Sequence, residues 1–270
     1  MSRSYSAAFW RSLNESISRS VVQVSVFKGM VPVHLGTGII LCAGPNCIAI
    51  LTTVTCAEVE KDDDEKRKDD DNEKKRDGYR VFVKFGDLKA KQALVFLSDK
   101  ILSVLVLPLL DEDMEKILVL DNESFYETDI CKSEPVWVVG CFSKALEQVM
   151  PAGYVSISDD ENTVKGEFVS TFAHSCPIGD GLIGAPIINR FGKIIGLNVT
   201  PTAQSSKLNH ALKFKSLRDE LASLLDEEDY KKPMSSLVSM LRKQLIDFRC
   251  RMKSAKKKTD GASSSSATAN

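Results

Sequence analysis

No apolar run in this chain approaches the ~20 residues that a membrane-spanning helix needs. The opening segment, MSRSYSAAFWRSLNES, also lacks the continuous apolar core of a secretion signal. Both absences point to the cytoplasm or nucleus and away from a membrane. The seven cysteines are odd in number and contain no C-x-x-C pair, and the three histidines form no metal-sized cluster with them. Neither a zinc site nor a disulfide framework is therefore expected, and the thiols read as free and buried in a reducing compartment. Nor is there an excess of one charge: 36 basic and 37 acidic residues leave a net charge of -1. Nothing in that balance selects nucleic acid as a partner, and no metal or small-molecule cofactor is expected.

What remains is a chain of 270 residues with 43% hydrophobic content, enough for one large domain or two small ones. Residues 1–20 read as an N-terminal helical segment, with Phe9, Trp10, Leu13 and Ile17 spaced as a stripe over Ala7–Ser18. From Val21 the pattern becomes β-rich. VVQVSVF alternates, a turn follows at Lys28–Met30, and LGTGIILC and CIAILTT are separated by AGPN. Residues 60–77, EKDDDEKRKDDDNEKKRD, are charged at all but one position. Such a run buries no apolar surface and is expected to be a disordered insertion, because β-patterned sequence resumes with YRVFVKF and KQALVFL.

The strands continue through ILSVLVLPL, PVWVVGCF, AGYVSI, GEFVSTF, GAPIIN and KIIGLNV, which implies an antiparallel sandwich or barrel. Helix follows. Ser216 is placed to cap SLRDELASLL, whose Leu217, Leu221 and Leu224 share a face. Residues 226–258 hold a basic amphipathic helix that begins near Pro233, with eight Lys/Arg and one Asp from there to Lys258. Its stripe of Leu237, Leu241, Leu245 and Phe248 suits either packing on the β domain or a partner helix, including a second copy of the chain. Lys256–Lys258 make a basic patch without interleaved aromatics, and residues 259–270 are expected to be a disordered tail.

The segment with most bearing on chemistry is GDGLIGAPIIN, Gly179–Asn189. It has the glycines and proline of a tight loop that can present a nucleophile, yet its tip is Ile183, and Gly179–Ile188 contain no Ser, Thr or Cys. An isoleucine has no proton to lose and no lone pair. His174 and Cys176 lie two apart, a spacing that puts both on one face of a strand, but no third orienting group accompanies them. Cys56 reads as a small buried thiol, Asp99 as a turn residue, and His34 and His210 as isolated surface or packing residues.

Four segments together resemble the trypsin-like serine proteases, in particular their Deg/HtrA-like branch, over Val21–Leu225. SVVQVSVF…GTGIIL resembles the first strands, LTTVTC the segment bearing the catalytic histidine, EPVWVVGCF…MPAGYVSI a paired-strand segment, and GLIGAPIINRFGKIIGLNV the nucleophile loop with its following hairpin. The resemblance implies a mostly β fold of two six-stranded antiparallel β-barrels over residues 21–225, with a short N-terminal helix and C-terminal helices. It also puts the histidine position on Thr55, the aspartate position on Ser103 and the serine position on Ile183. The triad chemistry needs all three side chains, and all three are replaced. Gly181 and Gly184 would keep a vestigial oxyanion loop, while Ala185 stands where the family has its second glycine. The resulting expectation is a non-catalytic protease homologue that binds an extended peptide or protein segment. The alternative is a serine-type endopeptidase of the Deg/HtrA type, by family resemblance or through a relocated active site. No PDZ-like segment follows Leu225.

Overall fold

The computed structural model describes residues 13, 15, 17–53, 79–86, 88–120, 124–126, 129–141, 148–164, 166–179, 181–199 and 208–263. The N-terminal stripe, the charged insertion at 60–77 and the last residues of the tail lie wholly or largely outside them. Fourteen strands form two closed antiparallel barrels and one small extra ladder.

The first barrel takes β1 (Val21–Lys28), β2 (Val31–Gly44), β3 (Cys47–Thr52), β4 (Tyr79–Lys84), β5 (Lys91–Ser98) and β6 (Ser103–Pro108), in the order β1-β2-β3-β6-β5-β4. Alternate residues of β1 and β4, such as Val22, Val24, Val26, Val81 and Val83, fill its interior. β3 is instead buried at all six positions. It has the barrel interior on one side, while Cys47, Ala49 and Leu51 join a second apolar cluster on the other. A strand covered on both faces needs a continuous apolar run, and CIAILT is one. A single turn of helix, α1 (Asp111–Met114), follows β6, held by an ion pair from Lys91 to Asp113.

The second barrel has the order β10-β11-β14-β13-β12-β7. Its strands are β7 (Pro135–Val138), β10 (Ala152–Val164), β11 (Glu167–His174), β12 (Pro186–Asn189), β13 (Ile194–Val199) and β14 (Asn209–Lys213). The two-residue strands β8 (Gly140–Cys141) and β9 (Gln148–Val149) pair with each other beside it. The double barrel read from the sequence is the observed fold, but the reading passed over β14. That strand closes the barrel between β11 and β13.

α2 (Phe214–Leu224) begins directly where β14 ends, with the extended Lys213 as its N-cap. Ser216 is therefore not the cap. It sits inside the first turn and donates its hydroxyl to the Ser170 carbonyl. α3 runs over Met234–Ser263, five residues beyond Lys258 where the sequence reading ended the helix. Leu237, Leu241 and Leu245 are fully buried in the cluster that joins the two barrels with α2. Phe248 meets Phe96 of β5 edge-on at 5.2 Å, and Arg242 donates to the Ala43 carbonyl at 2.8 Å. The leucine stripe thus faces this chain's own first barrel, which corrects the partner-helix reading of Leu237, Leu241, Leu245 and Phe248. The physical reason lies in the end of β2: Cys42, Ala43 and Gly44 are small, and a Cβ added to Gly44 would come within 3.9 Å of Leu245. The helix backbone can approach there as it could not over larger side chains. No helix among the described residues is long and apolar enough to cross a membrane.

Candidate functional site

The two barrels meet at the loop between β11 and β12, the segment that carries Ile183. Gly181 and Gly184 adopt φ of 99° and 80°, conformations open to glycine and strained for other residues. The loop folds on itself, with Leu182 N–H donating to the Gly179 carbonyl and Ala185 N–H to the Leu182 carbonyl, each at 3.2 Å. Leu182 and Ala185 turn into the second barrel's interior. Gly140 leaves the space they occupy, since a Cβ there would sit 3.1 Å from that of Ala185. Alanine in place of the family's second glycine is thus accommodated from the opposite strand.

The other side of the loop is bound to the first barrel. Thr37 of β2 donates its N–H to the Ile183 carbonyl at 2.7 Å and its hydroxyl to the Gly181 carbonyl at 2.6 Å. Thr52 supports Thr37 by donating to its carbonyl at 2.7 Å. Gly184 is pressed into this junction, and a Cβ on it would lie 2.6 Å from the Thr52 hydroxyl and inside contact distance of the Thr37 carbonyl. Ile183 is half-buried and packs against the interior cluster of the first barrel. At the position where the resemblance puts a nucleophile, the side chain acts as an apolar plug between barrels.

Asn198 of β13 joins this network from the second barrel. Its carbonyl accepts from Gly184 N–H and from the Thr53 hydroxyl, each at 2.8 Å. Its side-chain amide donates to the Leu182 carbonyl at 2.8 Å. The Asn198 side-chain oxygen therefore faces His174 Nε2 at 3.4 Å, which makes Nε2 the protonated nitrogen of that imidazole. Nδ1 of His174 is buried without a partner among the described residues, and burial pushes the ring down to about 4, so it is neutral near neutral pH.

Ser103, where the resemblance puts the aspartate, is fully buried and shares a 2.8 Å hydrogen bond with the Ser98 hydroxyl. It carries no charge with which to orient a base. Thr55, at the histidine position, lies outside the described residues, as do Cys56 and Asp180. His174 and Cys176 are not joined as a pair. Cys176 donates weakly to the Val136 carbonyl at 3.5 Å, and burial raises its thiol to about 11. Asp99 is the turn residue of the β5–β6 connection and accepts from the N–H groups of Ile101 and Leu102 at 2.6 and 2.7 Å. His34 is exposed; His210 is buried and bonded through Nδ1 to the Asn162 side chain at 3.0 Å.

Around the loop the described polar side chains include the hydroxyls of Thr37, Thr52, Thr53, Ser98 and Ser103, the amide of Asn198 and the His174 imidazole bonded to it. The hydroxyls and the amide donate and accept hydrogen bonds, and the imidazole bonded to Asn198 is held neutral near neutral pH by burial. Thr37 and Asn198 were not singled out from the sequence. The available signal was a lone amide inside the apolar run IIGLNV, a polar group that must find a buried partner.

The solved structures to which the chain is similar include three proteases at low identity. A serine-to-alanine mutant of Rv3671c from M. tuberculosis H37Rv, in an inactive form, matches with TM-score 0.58 and 16% identity over 84% of this chain and 98% of that one. Deg5 matches with TM-score 0.55 and 18% identity over 79% of this chain and 93% of that one. The HtrA-type protease AlgW, solved with a tripeptide, matches with TM-score 0.55 and 16% identity over 80% of this chain and 63% of that one. At such identities the likeness is one of fold. No protein-family model matches the chain, and comparison with the curated proteins gives no match.

Proposed function

We propose that this chain is a non-catalytic protein of the trypsin-like protease fold that acts by binding an extended peptide or protein segment in the cleft between its barrels. The observation that carries the proposal is the plug: Ile183 stands at the tip of the loop and packs on the first barrel's interior. A side chain without a lone pair, held by apolar contacts, supplies neither nucleophile nor base. The uncharged, hydrogen-bonded Ser103 supports the same reading, because an imidazole would find no carboxylate there to fix its tautomer. An extended segment laid along the loop needs only backbone hydrogen bonds and side-chain pockets, which do not depend on the triad.

The test has two arms. Fluorogenic casein incubated with the unmodified chain is expected to show no hydrolysis above the buffer blank; robust turnover would establish the endopeptidase alternative. Isothermal titration against a peptide library is expected to give saturable binding that Ile178→Glu, beside the loop, abolishes. Binding indifferent to that substitution, or none, would refute a cleft-borne role.

A further inference from the structure

We infer that the outer face of β1 and β4 is a second docking groove, built for an acidic segment of a partner protein that carries a bulky apolar side chain. The outward residues of β1 are Gln23, Ser25 and Phe27, and the register sets them opposite Lys84, Phe82 and Arg80 of β4. The solvated face of an antiparallel sheet is ordinarily polar. Here two phenylalanines meet edge-on, with ring centroids 5.5 Å apart. The small Ser25 lies directly across from Phe82, and a hollow of about 370 Å³ opens over these strands. At its end the β1–β2 turn leaves Met30 86% exposed and Val31 63% exposed. A bulky apolar side chain is what such a floor and lip would take out of water.

The charge of the groove selects the rest of the ligand. Arg80 and Lys84 are among its lining residues, and among the described residues no carboxylate is. Arg80 is fixed over the groove by donating to the Gly29 carbonyl at 2.6 Å, with its guanidinium 5.9 Å from the Phe82 ring centroid. Among the described residues neither cation has a carboxylate within ion-pair distance. Two cations beside apolar surface are complementary to acidic residues flanking an apolar anchor. β1 and β4 already pair with each other in the closed barrel, so no free edge is available there and the ligand must be read through side chains. The groove also abuts the inter-barrel loop, because Gln23 pairs with Thr37, which bonds the Gly181 and Ile183 carbonyls. A segment leaving the cleft on this side would run onto it.

Fluorescence anisotropy of a fluorescein-labelled Glu-Asp-Phe-Glu-Glu-Leu-Asp peptide with the full chain tests the inference. Saturable binding is expected, weakened about tenfold by Arg80→Glu with Lys84→Glu and again as salt is raised. Met30→Ser, at an exposed turn where folding is not at stake, should weaken it severalfold, and the cleft variant Ile178→Glu should leave it unchanged. Absence of binding would overturn the inference, as would equal binding of a peptide with Ser in place of Phe and Leu. So would self-association broken by Met30→Ser, which would make a second copy the occupant. Binding that emerges only after deletion of residues 60–77 would overturn it too, in favour of the chain's own acidic run.

Discussion

Gly184→Ala is expected to be among the most damaging single-methyl changes in this protein. The added Cβ would lie inside contact distance of the Thr37 carbonyl and 2.6 Å from the Thr52 hydroxyl, and φ at this position is 80°. The positive φ alone costs about 1–2 kcal/mol in a residue with a Cβ. The clash adds more, since its obstacles are a backbone carbonyl and a hydrogen-bonded hydroxyl in a close-packed junction. If the loop withdraws, the bonds from Thr37 to the carbonyls of Ile183 and Gly181 are lost. Each is worth about 1 kcal/mol net, and buried groups left unpaired cost about as much again. The total is about 5–6 kcal/mol. Gly166→Ala is the control, because Gly166 has φ of 90° but nothing within 4 Å of an added Cβ. It isolates the backbone strain and should cost only about 1–2 kcal/mol. Urea unfolding followed by the fluorescence of Trp137 on β7 reads both. With a slope of about 2–3 kcal/mol per molar, the Gly184→Ala midpoint should fall by more than about 1 M. Equal midpoints for the two variants would show that the loop is not clamped between the barrels, and the account of the plug would fail with it.

Three further outcomes follow from the same structure. Burial lowers His174 from 6.5 to about 4, so its contribution to stability is full above pH 6.5 and is lost as pH falls towards 4. His174→Phe should flatten the acid limb of the stability curve by up to about 3 kcal/mol relative to the parent; an unchanged limb in urea titrations across that range would refute it. Cys131 is exposed and Cys42, Cys47 and Cys176 are buried, and burial raises Cys42 to about 12 and Cys176 to about 11. Alkylation mapped by mass spectrometry near neutral pH should therefore modify Cys131 in the native protein and reach Cys42, Cys47 and Cys176 only after unfolding. Leu241→Ala, at a fully buried position where α3 meets the first barrel, should cost about 2–5 kcal/mol in thermal or urea unfolding. A loss below about 0.5 kcal/mol would mean that the helix is not docked in solution.

Much of the fold was legible because its signals are local. VVQVSVF alternates with the period of a strand buried on its inner face, and CIAILT is apolar throughout because both faces are covered. β14 was not legible. NHALK is short, opens on two polar residues and runs straight into a helix, so neither period is sustained. Ser216 misled for a related reason: its hydroxyl suits a cap, but the strand before it already supplied the turn into the helix at Lys213. The site divided in the same way. Ile183 and Ser103 stood out by identity alone, whereas Thr37 and Asn198 became visible only when opposite barrels brought them to one loop.

The sequence by itself determined what single side chains can offer, since no packing gives Ile183 a lone pair or Ser103 a carboxylate. It also determined that the chain would be mostly β, through strand periodicity that needs no distant contact. Tertiary structure decided where apolar faces were spent. The leucines of α3 were equally suited to a partner, and the small residues at the end of β2 drew them onto the first barrel. Ile183 was one residue in a loop until the interior of the other barrel lay beneath it. Such outcomes depend on which surfaces meet across long stretches of chain, and local sequence carries no term for that.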